Sequence, residues 1–145
     1  MTGDVQREGS GTPAGRLRHV PPERLSDDTA QTASMRRLEA VGGRTVGARD
    51  LWMGETHMAP ATRSADHHHG ATETAIFVVA GHPRFVFLDE GREVAIETSP
   101  GDYVFVPPWV PHREENPGAE EAVVVLARSS QEAVVVNLPT LDAPG

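Results

Sequence analysis

Cysteine is absent from the chain. Disulfides therefore contribute nothing to its stability, and any metal would have to be held by histidine, carboxylate or water. No run of about 18 apolar residues is present, so no membrane-spanning helix is expected. The first residues lack the basic-then-apolar pattern of a secretory leader, and a soluble cytoplasmic protein is the expectation. Basic residues are scarce: 13 Lys and Arg stand against 21 Asp and Glu, for a formal charge of −8. That balance argues against nucleic acid and anionic membrane as partners. Aromatic residues make up only 5%, whereas there are 14 glycines and 12 prolines. Such punctuation favours many short strands and turns over a helical bundle. The 145 residues suit one domain with a proper core.

Residues 1–33 are poor in apolar side chains and rich in Gly, Ser, Thr, Pro and charge. They cannot bury enough surface to offset their ordering entropy, which predicts a flexible N-terminal tail or arm, with Leu17, Val20 and Leu25 as docking points. Residues 34–145 are expected to form the folded domain. Ser34 to Ala40 reads as a short helical turn or an edge segment, broken by Gly42 and Gly43. Val46 to Met53 reads as the first strand, continued by Glu55 to Met58. Further strands are expected at Thr74 to Ala80, Arg84 to Leu88, Glu93 to Glu97, Tyr103 to Val106, Ala122 to Ala127 and Ala133 to Leu138. Turn residues separate them. Short strands at near-regular spacing point to a β-sandwich or barrel.

The stretch His67-His68-His69-Gly70-Ala71-Thr72-Glu73 runs into the most β-prone segment. In an extended chain His67 and His69 share one face and His68 takes the other. Two neutral imidazoles on one face are ligands for a borderline transition metal. Surface histidines or an affinity-tag remnant would be the bland reading, but this triplet is internal. Further on, Gly101 makes a turn, Tyr103 to Val106 crosses the sheet, and Pro107, Pro108 and Pro111 stiffen the return. His112 is then delivered at the start of the next strand, a third imidazole from a distant segment.

These two segments resemble the motifs of the cupin superfamily, G-x5-H-x-H-x3/4-E-x6-G and G-x5-P-x-G-x2-H-x3-N. Gly101, Pro107, His112 and Asn116 match the second in register, with Trp109 in place of the inner glycine. His67, His69 and Gly81 match the first, with Ala61 in place of the leading glycine. The resemblance covers roughly residues 34–138 and is closest to small single-domain bacterial cupins with HHHG and VPP-x-VPH segments, a group with no shared activity. It implies an all-β double-stranded β-helix, the jelly-roll barrel, holding one divalent transition metal (Fe, Zn, Mn or Ni) on His67, His69 and His112. The family's glutamate falls at Thr74 when counted back from Gly81, and at Glu73 when counted forward from His69. Two sites follow. In one, Glu73 is a fourth ligand and a bulge absorbs the extra residue. In the other, three histidines bind alone, Glu73 points outward and Thr74 faces the cavity.

Tyr103 offers a hydroxyl for orienting a ligand or for proton transfer, and Glu73 is the other candidate for such a role. Arg84 or Arg113 could hold an anion, or sit as solvated strand charges. Glu114, Glu115, Glu120 and Glu121 read as a solvated rim, and His57, His82 and His19 as outside the site. The functional expectation is a mononuclear metal-dependent enzyme acting on a small organic molecule. Oxygenase, isomerase or lyase chemistry in bacterial small-molecule or secondary metabolism is implied. The alternatives are a non-catalytic metal-containing small-molecule binder and a purely structural metal. An apolar end strand around Val134 to Val136 predicts a homodimer, which a monomeric mass by light scattering would refute.

Overall fold

The computed structural model describes residues 15–143. Its strands are β1 (Met35–Val41), β2 (Trp52–Met58), β3 (Thr62–Arg63), β4 (His67–His68), β5 (Thr74–Ala80) and β6 (Arg84–Asp89). They continue with β7 (Arg92–Glu97), β8 (Tyr103–Val106), β9 (His112–Asn116), β10 (Ala122–Arg128) and β11 (Val136–Asn137). One sheet runs β1-β2-β10-β5-β8 and the other β11-β4-β9-β6-β7, with β3 pairing β9 at its side. The fold is the all-β jelly-roll barrel expected from the sequence. Among the described residues the only helix is a single 3-10 turn at Pro22–Arg24, and none is long and apolar enough to cross a membrane.

Alternation builds the interior. Trp52, Gly54, Thr56 and Met58 of β2 point inward, as do Thr74, Ile76 and Val78 of β5. Ile76, Val78, Phe85, Val106 and Val124 form the main apolar cluster, with Val104 and Leu126 packed against it. Met35, Met58 and Ala122 form a second cluster beside β1.

Three sequence expectations change. Met35–Val41 is an edge strand on β2, resolving the helix-or-edge alternative. The first strand expected from Val46 begins only at Trp52. The reason is Glu39: its carboxylate accepts the Arg44 and Thr45 amides at 3.0 and 2.9 Å and holds residues 42–46 in a turn. The last strand is limited to Val136–Asn137. Of the expected tail, residues 1–14 lie outside the described residues. Residues 15–33 run to an isolated bridge between Ser26 and Glu39.

The four glycine positions of the two motifs explain themselves in the backbone. Gly81 and Gly101 have φ of 80° and 99°, and the substituted positions Ala61 and Trp109 keep φ of 55° and 68°. The motif thus encodes left-handed turns, and this chain retains them at two sites without the glycine. A left-handed non-glycine residue costs roughly 1–2 kcal/mol, while glycine adds roughly 0.4–1 kcal/mol of unfolded-state entropy. Ala61→Gly should therefore raise stability by about 0.5–1 kcal/mol, a rise in Tm of about 2–3 °C. A fall in Tm by scanning calorimetry would show that the turn is not strained. At Gly81 the reverse change is barred, because a Cβ would meet Ala122 Cα and Cβ at 2.9 Å.

Candidate metal centre

β4 and β9 are neighbours, and His67 pairs directly with His112 across them. The loop before β9 is latched to the histidine turn by the Trp109 amide donating to Gly70 O at 2.8 Å. Gly70 supplies the left-handed φ of 59° that this turn needs. The result brings the rings of His67, His69 and His112 to centroid separations of 4.5–5.0 Å.

Each of the three imidazoles is held by its Nδ1. His67 donates to Ala65 O at 2.7 Å, His69 to Val134 O at 2.8 Å and His112 to Val110 O at 3.0 Å. A carbonyl oxygen can only accept, so Nδ1 carries the proton and Nε2 carries the lone pair. The three Nε2 atoms converge with a carboxylate oxygen of Glu114, all four ligand atoms lying within 4.8 Å of one another. His112 Nε2 is buried without a hydrogen-bond partner. Glu114 Oε2 lies 3.4 Å from it and 4.0 Å from His67 Nε2. Lone pairs aimed at a common point, a carboxylate beside them and backbone acceptors fixing the rings are what a divalent transition metal requires. The residues present fit such an ion.

Charge in this group is strongly coupled. Burial lowers His67, and it lowers His69 to about 4 despite the hydrogen bond to Val134. Burial also pulls on His112, but the Glu114 carboxylate beside it outweighs that and leaves it raised. Burial pushes Glu114 up, and the nearby His112, His67 and Arg37 outweigh it and bring it down to about 2. At neutral pH His67 and His69 are therefore neutral and able to ligate. The linkage has a definite sign. His69 has a lower pKa folded than unfolded, so the unfolded chain binds its proton first as pH falls. Metal-free protein should lose on the order of 2–3 kcal/mol of unfolding free energy from His69 as pH drops from 6.5 to about 4. His112 works oppositely: its stabilisation is full below the unfolded pKa and lost as pH rises through its raised folded value. Denaturant titrations of the native chain and His69→Asn check this; identical pH slopes would refute it.

The structure separates the two alternatives for the carboxylate position: Glu73 is exposed, away from the histidines, and its neighbour Thr74 faces inward, as in the second alternative. A register irregularity does occur in β5, at Val79, where Val123 pairs with Ala80 and Val124 with Val78. It lies beyond Thr74, so it cannot turn Glu73 inward. The carboxylate beside the histidines is Glu114, where the run of acidic residues predicts a solvated rim. Its signal was available: on a strand the residue two after His112 shares its face. Tyr103 is 78% exposed and packs on Phe77 outside the barrel. The inward residues of β8 are Val104 and Val106. Arg84 and Arg113 are occupied by Glu115, at 2.6 and 2.7 Å, and Arg113 also by Glu93 and Asp66. His68 is buried on the opposite side, its Nδ1 accepting the Gly70 amide at 3.0 Å. His57 is engaged with Glu55 and Glu121, and His82 with Thr98 O.

His67, His69, Glu114 and Thr74 open onto a cavity of about 480 Å³. Ile76, Phe85, Val106, Val124 and Leu126 wall its apolar side, and Arg37 and Arg128 also line it.

A jelly-roll barrel enclosing three imidazoles and a carboxylate able to hold a metal ion defines a class of protein. The chain belongs to the cupin family: a sequence profile described as "Cupin domain" matches residues 54–128. No curated protein sequence matches the chain. Among solved structures it is similar to a recombinant oxalate oxidase in complex with glycolate, with 19% identity and a TM-score of 0.64 over 77% of this chain and 59% of that one. It is similar to an oxalate decarboxylase of Bacillus subtilis, with 18% identity and a TM-score of 0.64 over 77% of this chain and 30% of the other. It is also similar to the polyketide cyclase RemF of Streptomyces resistomycificus, with 19% identity and a TM-score of 0.71 over 89% and 90% of the two chains. The chain thus spans less than two thirds of these two oxalate enzymes. At these identities the likeness is one of fold.

Proposed function

We propose that the chain is a mononuclear metal-dependent enzyme acting on a small organic molecule. The observation that carries this reading is the pairing of an oriented ligand set with open space. A structural ion needs four ligands and no cavity, whereas this group borders about 480 Å³, a volume suited to a small molecule. His67, His69 and His112 would hold the ion through Nε2, with Glu114 as a fourth ligand. When bound, the ion would supply Lewis acidity, or with iron, activation of dioxygen. The residues of the chain fix the imidazole tautomers, keep Glu114 ionised and present an apolar wall that excludes water.

The structural relatives support a metal and leave the reaction open. The Bacillus subtilis oxalate decarboxylase has Mn(II) centres, and the neighbours include an oxidase, a decarboxylase and a cyclase. One fold therefore hosts several chemistries, and the choice among them lies in the cavity. The test is reconstitution with iron, manganese, zinc and nickel, followed by elemental analysis and by turnover of a library of small organic molecules. One ion per chain together with turnover is the expected result. A bound ion with no turnover would make the chain a metal-containing binder instead.

A further inference from the structure

Trp52, Arg128 and Thr74 stand abreast on β2, β10 and β5, Arg128 being paired in register with both. All three are buried, and Arg128 and Thr74 line the cavity. The Arg128 guanidinium lies 4.0 Å over the Trp52 ring. It donates once, from Nη2 to Gln131 O at 3.2 Å. Its Nε–H has no partner, and neither has the Thr74 hydroxyl. With His112 Nε2 these are the only buried side-chain polar atoms left unpaired among the described residues.

Among the described residues Arg128 also lacks a counter-ion. The carboxylate that acts on it electrostatically is Glu39. Both oxygens of Glu39 are taken, Oε1 by the Trp52 indole at 3.0 Å and Oε2 by the Arg44 and Thr45 amides and the Thr45 hydroxyl. Glu114, the carboxylate in the cavity lining, faces the histidines. A second cation, Arg37, lines the same cavity and spends one donor on Thr32 Oγ1 at 2.8 Å. Burying an unpaired guanidinium is costly, several kcal/mol in the general case, and such groups are found paired. Desolvation accordingly lowers Arg128 to about 10.

We propose that the cavity takes a small molecule bearing a carboxylate, whose two oxygens accept from Arg128 Nε–H and the Thr74 hydroxyl. The inference rests on the enzyme reading above for the cavity's use, but its binding site is separate from the metal ligands. A planar two-oxygen group suits one free guanidinium N–H and one hydroxyl better than a tetrahedral phosphate, which would need more donors. Arg37 adds positive potential without fixing geometry. Ile76, Val106, Val124 and Leu126 leave the rest of the molecule apolar contacts, and the histidine side is left for a second oxygen function.

The test is isothermal titration of zinc-loaded and metal-free protein with matched pairs: benzoate against benzamide, and succinate against succinamide, with inorganic phosphate as a third arm. Each acid should bind about tenfold or more tightly than its amide. Arg128→Gln should abolish that preference while zinc stoichiometry by elemental analysis stays that of the native chain. Thr74→Val, nearly isosteric, should reduce the preference severalfold and covers the case in which Arg128→Gln fails to fold. Equal binding of acid and amide, no binding of either, an undiminished preference in both variants, or phosphate binding more tightly than the acids would each overturn the proposal. Acid preference in a chain that takes up no zinc would sink the metal reading and leave this one standing.

Discussion

His67→Ala combined with His112→Ala is expected to abolish binding of a divalent transition metal. The two imidazoles are cross-strand partners and supply two of the four converging ligand atoms. Binding of a structural-type zinc ion is worth about 10–16 kcal/mol at neutral pH, so losing half the ligands should cost about 5–8 kcal/mol, four orders of magnitude or more. Elemental analysis after dialysis against a chelator would show the loss directly. Two controls give the experiment its direction. Glu73→Ala should leave affinity unchanged, because that side chain is exposed. Glu114→Gln should weaken it by about 10–100-fold, because the carboxylate faces the same point as the imidazole Nε2 atoms. Metal uptake undiminished in the double variant would remove the chemical basis of the proposed function while leaving the barrel intact.

Asn116→Ala should produce a large loss of stability although it lies away from the metal-ligand candidates. Asn116 is 1% exposed. Its amide donates to Met58 O and Ala59 O at 3.1 Å and to Glu120 O at 2.9 Å, and its Oδ1 accepts the Gly118 amide at 3.2 Å. One side chain thus ties the end of β2 to the turn between β9 and β10. Truncation leaves one buried and two partly buried carbonyls without this donor, at about 1 kcal/mol or more each, for a total of about 3–4 kcal/mol. In a chain of this size that lowers Tm by about 10 °C. Asn116→Asp, which swaps the donor for an oxygen facing three carbonyls, should be worse. A fall of less than about 1 kcal/mol by denaturant titration would show that water replaces the amide. The asparagine of the second motif is on this reading a brace for the barrel.

Much of this was legible in the sequence, for identifiable reasons. Strands such as Thr74–Ala80 and Ala122–Arg128 announce themselves because β-branched residues alternate between core and solvent. His67, His69 and His112 could be placed together because parity and two motifs fix them. Parity would also have put Glu114 beside His112, had its acidic neighbours not disguised it as surface charge. The Val46 stretch reads as a strand and folds as a turn because its β-propensity is overridden by one long-range device, the Glu39 carboxylate that gathers the Arg44 and Thr45 amides. Arg128 could not be singled out at all. Its isolation depends on Glu39 being saturated by other donors, which no local pattern encodes.

The main-chain anchoring of the imidazoles bears on how such a chain can diversify. The oxygens of residues 65, 110 and 134 steer the rings, and every amino acid possesses that oxygen. Ala65 and Val134 also line the cavity. Mutational drift at those two places can therefore recut the chamber, larger, smaller or more polar, while the ion-binding cage keeps its aim.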